Sequence, residues 1–119
     1  MAKEIEFWGS SKADLRSFPE DARRELGFQL RTVQNGFEPA HWRSMSTVGA
    51  GVKEIKVKDA SGEFRALYVA SFETAIHVLH AFQKKSQKTS KSDIDLAKKR
   101  LKEVVKDEQR RAKERTLKR

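Results

Sequence analysis

The stretch GVKEIKVKDASGEFRALYVASF, residues 51–72, decides the fold. Each half alternates apolar and polar side chains, the period of a strand with one buried face. Between them Asp59-Ala60-Ser61-Gly62 has turn composition, so the halves form an antiparallel hairpin. With DASG as a four-residue loop, Lys58 opposes Glu63, Val57 opposes Phe64, Lys56 opposes Arg65 and Ile55 opposes Ala66. Ile55, Val57, Phe64, Ala66 and Tyr68 then share the core side, and Glu54, Lys56, Arg65 and Leu67 the other. Lys56 and Arg65 are directly opposed cations, an arrangement that costs a strand pair up to ~1 kcal/mol. Folding alone gives no reason for it, whereas two cations side by side on a rigid sheet suit a phosphate.

Working outward, TAIHVLHAF (74–82) reads as a third antiparallel strand, and QKKSQKT (83–89) brings Lys84 and Lys85 off its end beside the opposed pair. If Glu73-Thr74 is a two-residue turn, His80 alternates toward the open side and His77 toward the core. Upstream, Ile5 and Phe7 alternate with Glu4 and Glu6 in a first strand. Leu15, Phe18, Ala22, Leu26, Leu30 and Val33 recur at three- and four-residue spacings, as in a short helix followed by a longer one. Pro19 suits a first turn, and Asn35-Gly36 a stop. Residues 36–51 show no period and read as a loop pinned to the core by Trp42 and Met45, with Trp8 a further core anchor. Ser92, three residues before Asp95, resembles a capping box, and Ile94, Ala97, Leu101, Val104 and Val105 form one helical stripe. The order β-α-α-β-β-β-α predicts an α+β fold, a small antiparallel sheet with its helices on one face and the other face open.

The length fits one domain. The last apolar stripe ends at Val105, so the domain is placed at 1–105, with 106–119 a basic helical extension or tail. There is no cysteine, and three histidines without metal-site spacing give no reason to expect a metal or cofactor. No apolar run is long enough for a bilayer and MAKEIEFW lacks a secretory pattern, so a cytoplasmic protein with no membrane segment is expected. The net charge of +9 is localised. Residues 1–83 carry 11 basic and 11 acidic side chains, residues 84–119 carry 15 and 6. Such asymmetry favours a polyanion, an acidic protein or an anionic surface as partner.

GVKEI (51–55), FRALYVA (64–70) and LHAFQKKSQKT (79–89) resemble the blocks of the phage-derived, HigB-like branch of the RelE/ParE toxin superfamily. The resemblance runs from about residue 4 to about residue 105. It is most specific in Leu-His-x-Phe-x-Lys-Lys followed by a Lys/Arg-rich helix, here DLAKKRLKE (95–103). It implies a RelE-like fold and the toxin of a type II toxin–antitoxin system, a ribosome-dependent mRNA endoribonuclease. The implied reaction is metal-independent attack of a ribose 2′-hydroxyl on the adjacent phosphate. The implied partners are a cognate helix-turn-helix antitoxin, the ribosome and mRNA. On this resemblance Arg65 matches a phosphate-binding arginine in Arg-x-Leu-Tyr, Lys56 a basic position usually held by arginine, and Lys85 the basic residue after the last strand. Lysine at position 56 can serve as a base, with Glu54 its rival. Lys84, Lys88, Arg43 and His80 are the expected RNA contacts. Two other activities stand beside this one: ParE-like inhibition of DNA gyrase, and non-catalytic nucleic-acid binding through the basic tail. Cations converging on the open sheet face distinguish the nuclease.

Overall fold

A computed structural model describes residues 2–86 and 88–117. In chain order its elements are β1 (Glu4–Phe7), α1 (Ser11–Arg16), α2 (Glu20–Gln34), β2 (Trp42–Ser44), β3 (Val52–Asp59), β4 (Gly62–Val69), β5 (Ala75–Lys84) and α3 (Lys91–Leu117). They make one α+β unit around a five-stranded sheet of order β1-β5-β4-β3-β2.

The β3–β4 hairpin has the expected register, with Lys56 opposite Arg65 and Asp59 opposite Gly62. Asp59 closes the turn by accepting hydrogen bonds from the Ser61 amide (2.8 Å) and hydroxyl (2.6 Å). Gly62 has φ +142°, and a Cβ there would lie 2.7 Å from Gln83 Nε2, so the position requires glycine. β5 pairs antiparallel with β4, as expected, whereas β1 joins the far edge of β5 in parallel. Alternation of side chains fixes a strand's faces and is silent on its direction. β2 lies inside the expected loop, too short to show a period. Trp42 is 39 % exposed rather than a core anchor, its ring 4.4 Å from Lys53 Nζ. Met45 does reach the core, and Trp8 is partly buried.

The helices divide between both sheet faces, which corrects the expectation that they share one. On the first face Leu15, Phe18, Ala22, Leu26, Leu30 and Val33 pack on Ile55, Val57, Phe64, Ala66, Tyr68, Ile76 and Val78. On the second, Ile94, Ala97, Leu101 and Val104 of α3 pack on Met45, Val52, Leu67, Val69, Leu79 and Phe82. Leu67 and Val69 are apolar on the side opposite α2, and the stripe of α3 needs such a surface to bury. At the end of this face that carries Glu54, Lys56, Arg65 and Lys84, no α3 residue lines the cavity among the described residues.

The cap of α3 is Ser90, not Ser92: its Oγ accepts from the Asp93 amide at 3.2 Å and donates to Asp93 Oδ2 at 2.6 Å. The helix runs unbroken past Val105, where polar contacts replace the apolar stripe. Glu108, 7 % exposed, accepts from the Thr74 hydroxyl (2.8 Å to Oε1) and lies 2.7 Å from His77 Nε2, while Arg111 reaches Glu6 at 2.7 Å. His77, fully buried, thus faces α3 and not the α2 core. Its Nδ1 accepts from Trp8 Nε1 at 3.0 Å, which makes Nε2 the protonated nitrogen that donates to Glu108.

One irregularity interrupts the sheet. Tyr68 opposes Val78 and Leu67 opposes His80, so Leu79 has no partner in β4. This β-bulge shifts the alternation of β5 by one residue, and beyond it His80, Phe82 and Lys84 lie on the α3 side.

Candidate active site

The hairpin register and the bulge together place four cations around one cavity of about 510 Å³. Arg43 comes from β2, Lys56 from β3, Arg65 from β4 and Lys84 from β5, with Ala40, His41, Trp42 and Glu54 completing the wall. Two carboxylates hold them apart. Glu54, fully buried, accepts from Arg65 Nη1 and from Arg43 Nε (2.9 Å) through Oε1, and from the Thr89 hydroxyl (3.0 Å) through Oε2. Glu63 binds Arg65 Nη2 and lies 3.5 Å from Lys56, 3.7 Å from Lys58 and 3.8 Å from Lys84. The opposed Lys56 and Arg65 are therefore not left repelling each other.

These contacts order the site electrostatically. The hydrogen bond from Arg65, then its charge and those of Lys56 and Lys84, hold the Glu63 carboxyl down at about 2 against the opposing effect of burial. Lys84 is pushed below the ordinary lysine value, first by burial and then by the charge of Arg65. Arg65 is 4 % exposed with both terminal nitrogens on carboxylates, so its guanidinium is fixed in place. Its Nε is buried without an acceptor among the described residues. It is a donor that the surrounding side chains leave unsatisfied beneath the cavity wall.

Of the expected site residues, Lys56, Arg65, Glu54, Lys84 and Arg43 come together here. Glu54 lies behind the arginines with both oxygens bonded, where it positions them. Lys85 lies just beyond β5, exposed and outside the cavity wall. Lys88 is exposed and lines a neighbouring hollow with Arg43, Thr89 and residues 44–47. His80, expected to contact RNA, is buried against α3: its Nε2 is 2.7 Å from Asp93 and its ring stacks on Phe82 at 4.9 Å. Sequence reasoning missed Glu63 as the hub of the cations and Thr89 as a support of Glu54. The first was visible in the hairpin register, where Glu63 opposes Lys58; the second lies beyond β5 and carries no periodic signal.

The same arrangement of sheet and helices is found in a double arginine-to-alanine variant of the E. coli toxin RelE in the free state. That structure superposes with a TM-score of 0.58 over 87 % of this chain and 99 % of the other, at 17 % identity. At that identity the match defines a RelE-type fold. The sequence profile of the Gp49-like phage-derived proteins (DUF891) matches residues 13–102, and the chain belongs to this family within the RelE superfamily. No curated protein matches the chain in sequence.

Proposed function

We propose that this protein is a toxin of a toxin–antitoxin pair that cleaves mRNA on the ribosome, with the four-cation cavity as its active site. The observation that carries the reading is the convergence of Arg43, Lys56, Arg65 and Lys84 from four strands on one cavity. Preorganised cations are suited to the charge that develops on a phosphate under attack, and they cost no reorganisation as it forms. Arg65 holds the scissile phosphate. Lys84, whose pKa is depressed, takes the proton of the 2′-hydroxyl as its oxygen bonds to phosphorus. Lys56, half-exposed at the mouth of the cavity, protonates the departing 5′ oxygen as the phosphorus–oxygen bond breaks. The products are a 2′,3′-cyclic phosphate and a 5′-hydroxyl end. Glu54 and Glu63 fix the cations, and Lys85 and Lys88 meet flanking phosphates. The basic surface of residues 84–117 is complementary to RNA and to an acidic stretch of the antitoxin.

Mapping transcript 5′ ends after induction in growing bacteria tests this. Codon-phased cuts are expected from the wild type and should be lost, on the order of 10²- to 10³-fold, in Arg65→Ala and Lys84→Ala. Protein-linked DNA breaks without RNA cuts, or wild-type cleavage by folded Lys84→Ala, would overturn the assignment.

A further inference from the structure

Lys84 lies on the active face only because β5 contains a bulge. Continuing the Tyr68–Val78 pairing without interruption would bring Gln83 opposite Glu63, and Lys84 would turn to the other face. With the bulge, Lys84 itself opposes Glu63. A residue without a ladder partner needs its backbone groups satisfied elsewhere. Here Arg100 of α3, 8 % exposed, donates from Nη1 to the Leu79 carbonyl at 2.9 Å and from Nη2 to the Ser10 hydroxyl at 3.1 Å. The guanidinium packs over Gly9, where a Cβ would lie 2.5 Å from Arg100 Nε and where φ is +54°. On the other side of the bulge, Asp93 of the same helix holds the His80 ring at 2.7 Å. α3 thus grips the bulge on both sides while lending no residue to the cavity wall.

We propose that Arg100 is a positioning residue for catalysis: by binding the Leu79 carbonyl it fixes the bulge that sets Lys84 in the cavity. The role of Lys84 in cleavage rests on the nuclease reading; the control of its position by Arg100 does not. The two separate experimentally. Arg100→Met keeps the apolar stem and removes both donors, whereas Arg100→Lys keeps one donor able to reach the carbonyl.

The test is NMR titration of Lys84 in protein whose lysines carry ¹³C-methyl groups, with amide hydrogen exchange over residues 79–84 and RNA cleavage measured on the same samples. In the wild type Lys84 should titrate below an unperturbed lysine. In Arg100→Met it should rise toward the ordinary value, with faster exchange across the bulge, and Arg100→Lys should restore much of the shift. Cleavage by Arg100→Met should fall as far as by Lys84→Ala, in kcat with KM little changed. A folded Arg100→Met with Lys84 titrating as in the wild type would overturn the proposal. So would unfolding of Arg100→Met combined with a folded Gly9→Ala, displaced guanidinium and all, in which Lys84 is unmoved. If Lys84 shifts as expected but neither variant changes cleavage, the positioning stands and the nuclease reading of Lys84 fails.

Discussion

Glu54 is a carboxylate with no water contact, surrounded by Arg65, Arg43 and Thr89. Removing one member of a buried ion pair leaves the other short of partners, at a cost of roughly 3–5 kcal/mol. Arg65→Ala is therefore expected to lower stability by about 3 kcal/mol, while Lys56→Ala, at a half-exposed position, should stay within ~0.5 kcal/mol of the wild type. Urea unfolding of the two variants measures this, and equal midpoints would contradict a buried network. The expectation reverses what opposed charges alone suggest for Arg65, because the register reveals which cations face each other and not which carboxylate lies beneath them. Glu63 yields a pH prediction. Its pKa falls from 4.5 to about 2 on folding, so between those values the unfolded chain binds the extra proton. The contribution of Glu63 is present above about pH 5 and is lost as pH falls toward 2. Glu63→Gln should flatten the acid limb of a stability profile, and an unchanged limb would show that other carboxylates set it. At this scale the sequence revealed Lys56 opposite Arg65, since strict alternation ties both to a face. Lys84 was only half legible, because a bulge leaves no mark in the alternation of TAIHVLHAF.

The elements differ in what holds them. The first four turns of α3 are bound by Ala97, Leu101 and Val104 against Leu67, Val69 and Leu79, and the next stretch by Glu108 on Thr74 and His77. Glu108→Ala should cost about 1–3 kcal/mol, since it strips the buried His77 Nε2 and the Thr74 hydroxyl of their acceptor. Truncation after Val105 should cost at least as much; thermal melts of the two, alongside Thr74→Val, measure it. A truncated chain as stable as the wild type would mean that the polar anchors contribute nothing. Helices α2 and α3 were legible from their apolar spacing, and the β3–β4 hairpin from its period and turn. β2 was not, because three exposed residues show no period, nor was the parallel entry of β1. The second helical face was missed for a different reason: Leu67 was correctly placed opposite the first core, but one apolar residue on an open face does not reveal that Val69, Leu79 and Phe82 join it once the bulge has shifted β5.

Over the whole molecule the charge excess lies in the C-terminal third, where α3 holds ten basic and six acidic side chains and exposes Lys98, Lys102, Lys106 and Arg110 at four-residue steps along one ridge. If the protein is the proposed nuclease, glutamine at all four should reduce the slope of log K against log salt for RNA binding by up to ~0.7 per lost phosphate contact, while bound RNA is cut at the same rate. An unchanged slope would place the phosphate contacts elsewhere. β5 is the meeting point of the architecture: β1 pairs along one edge, β4 along the other, and α3 crosses its face, with Arg111 and Glu6 joining residues 105 positions apart. Such long-range closure has a consequence in time. While the chain is being synthesised, β1 through β5 emerge before Arg100 and Glu108, so the bulge has no clamp and Lys84 no fixed place. On the proposed nuclease reading, a nascent chain is expected to be inert until α3 has left the exit tunnel, and the ribosome that makes it is spared until then.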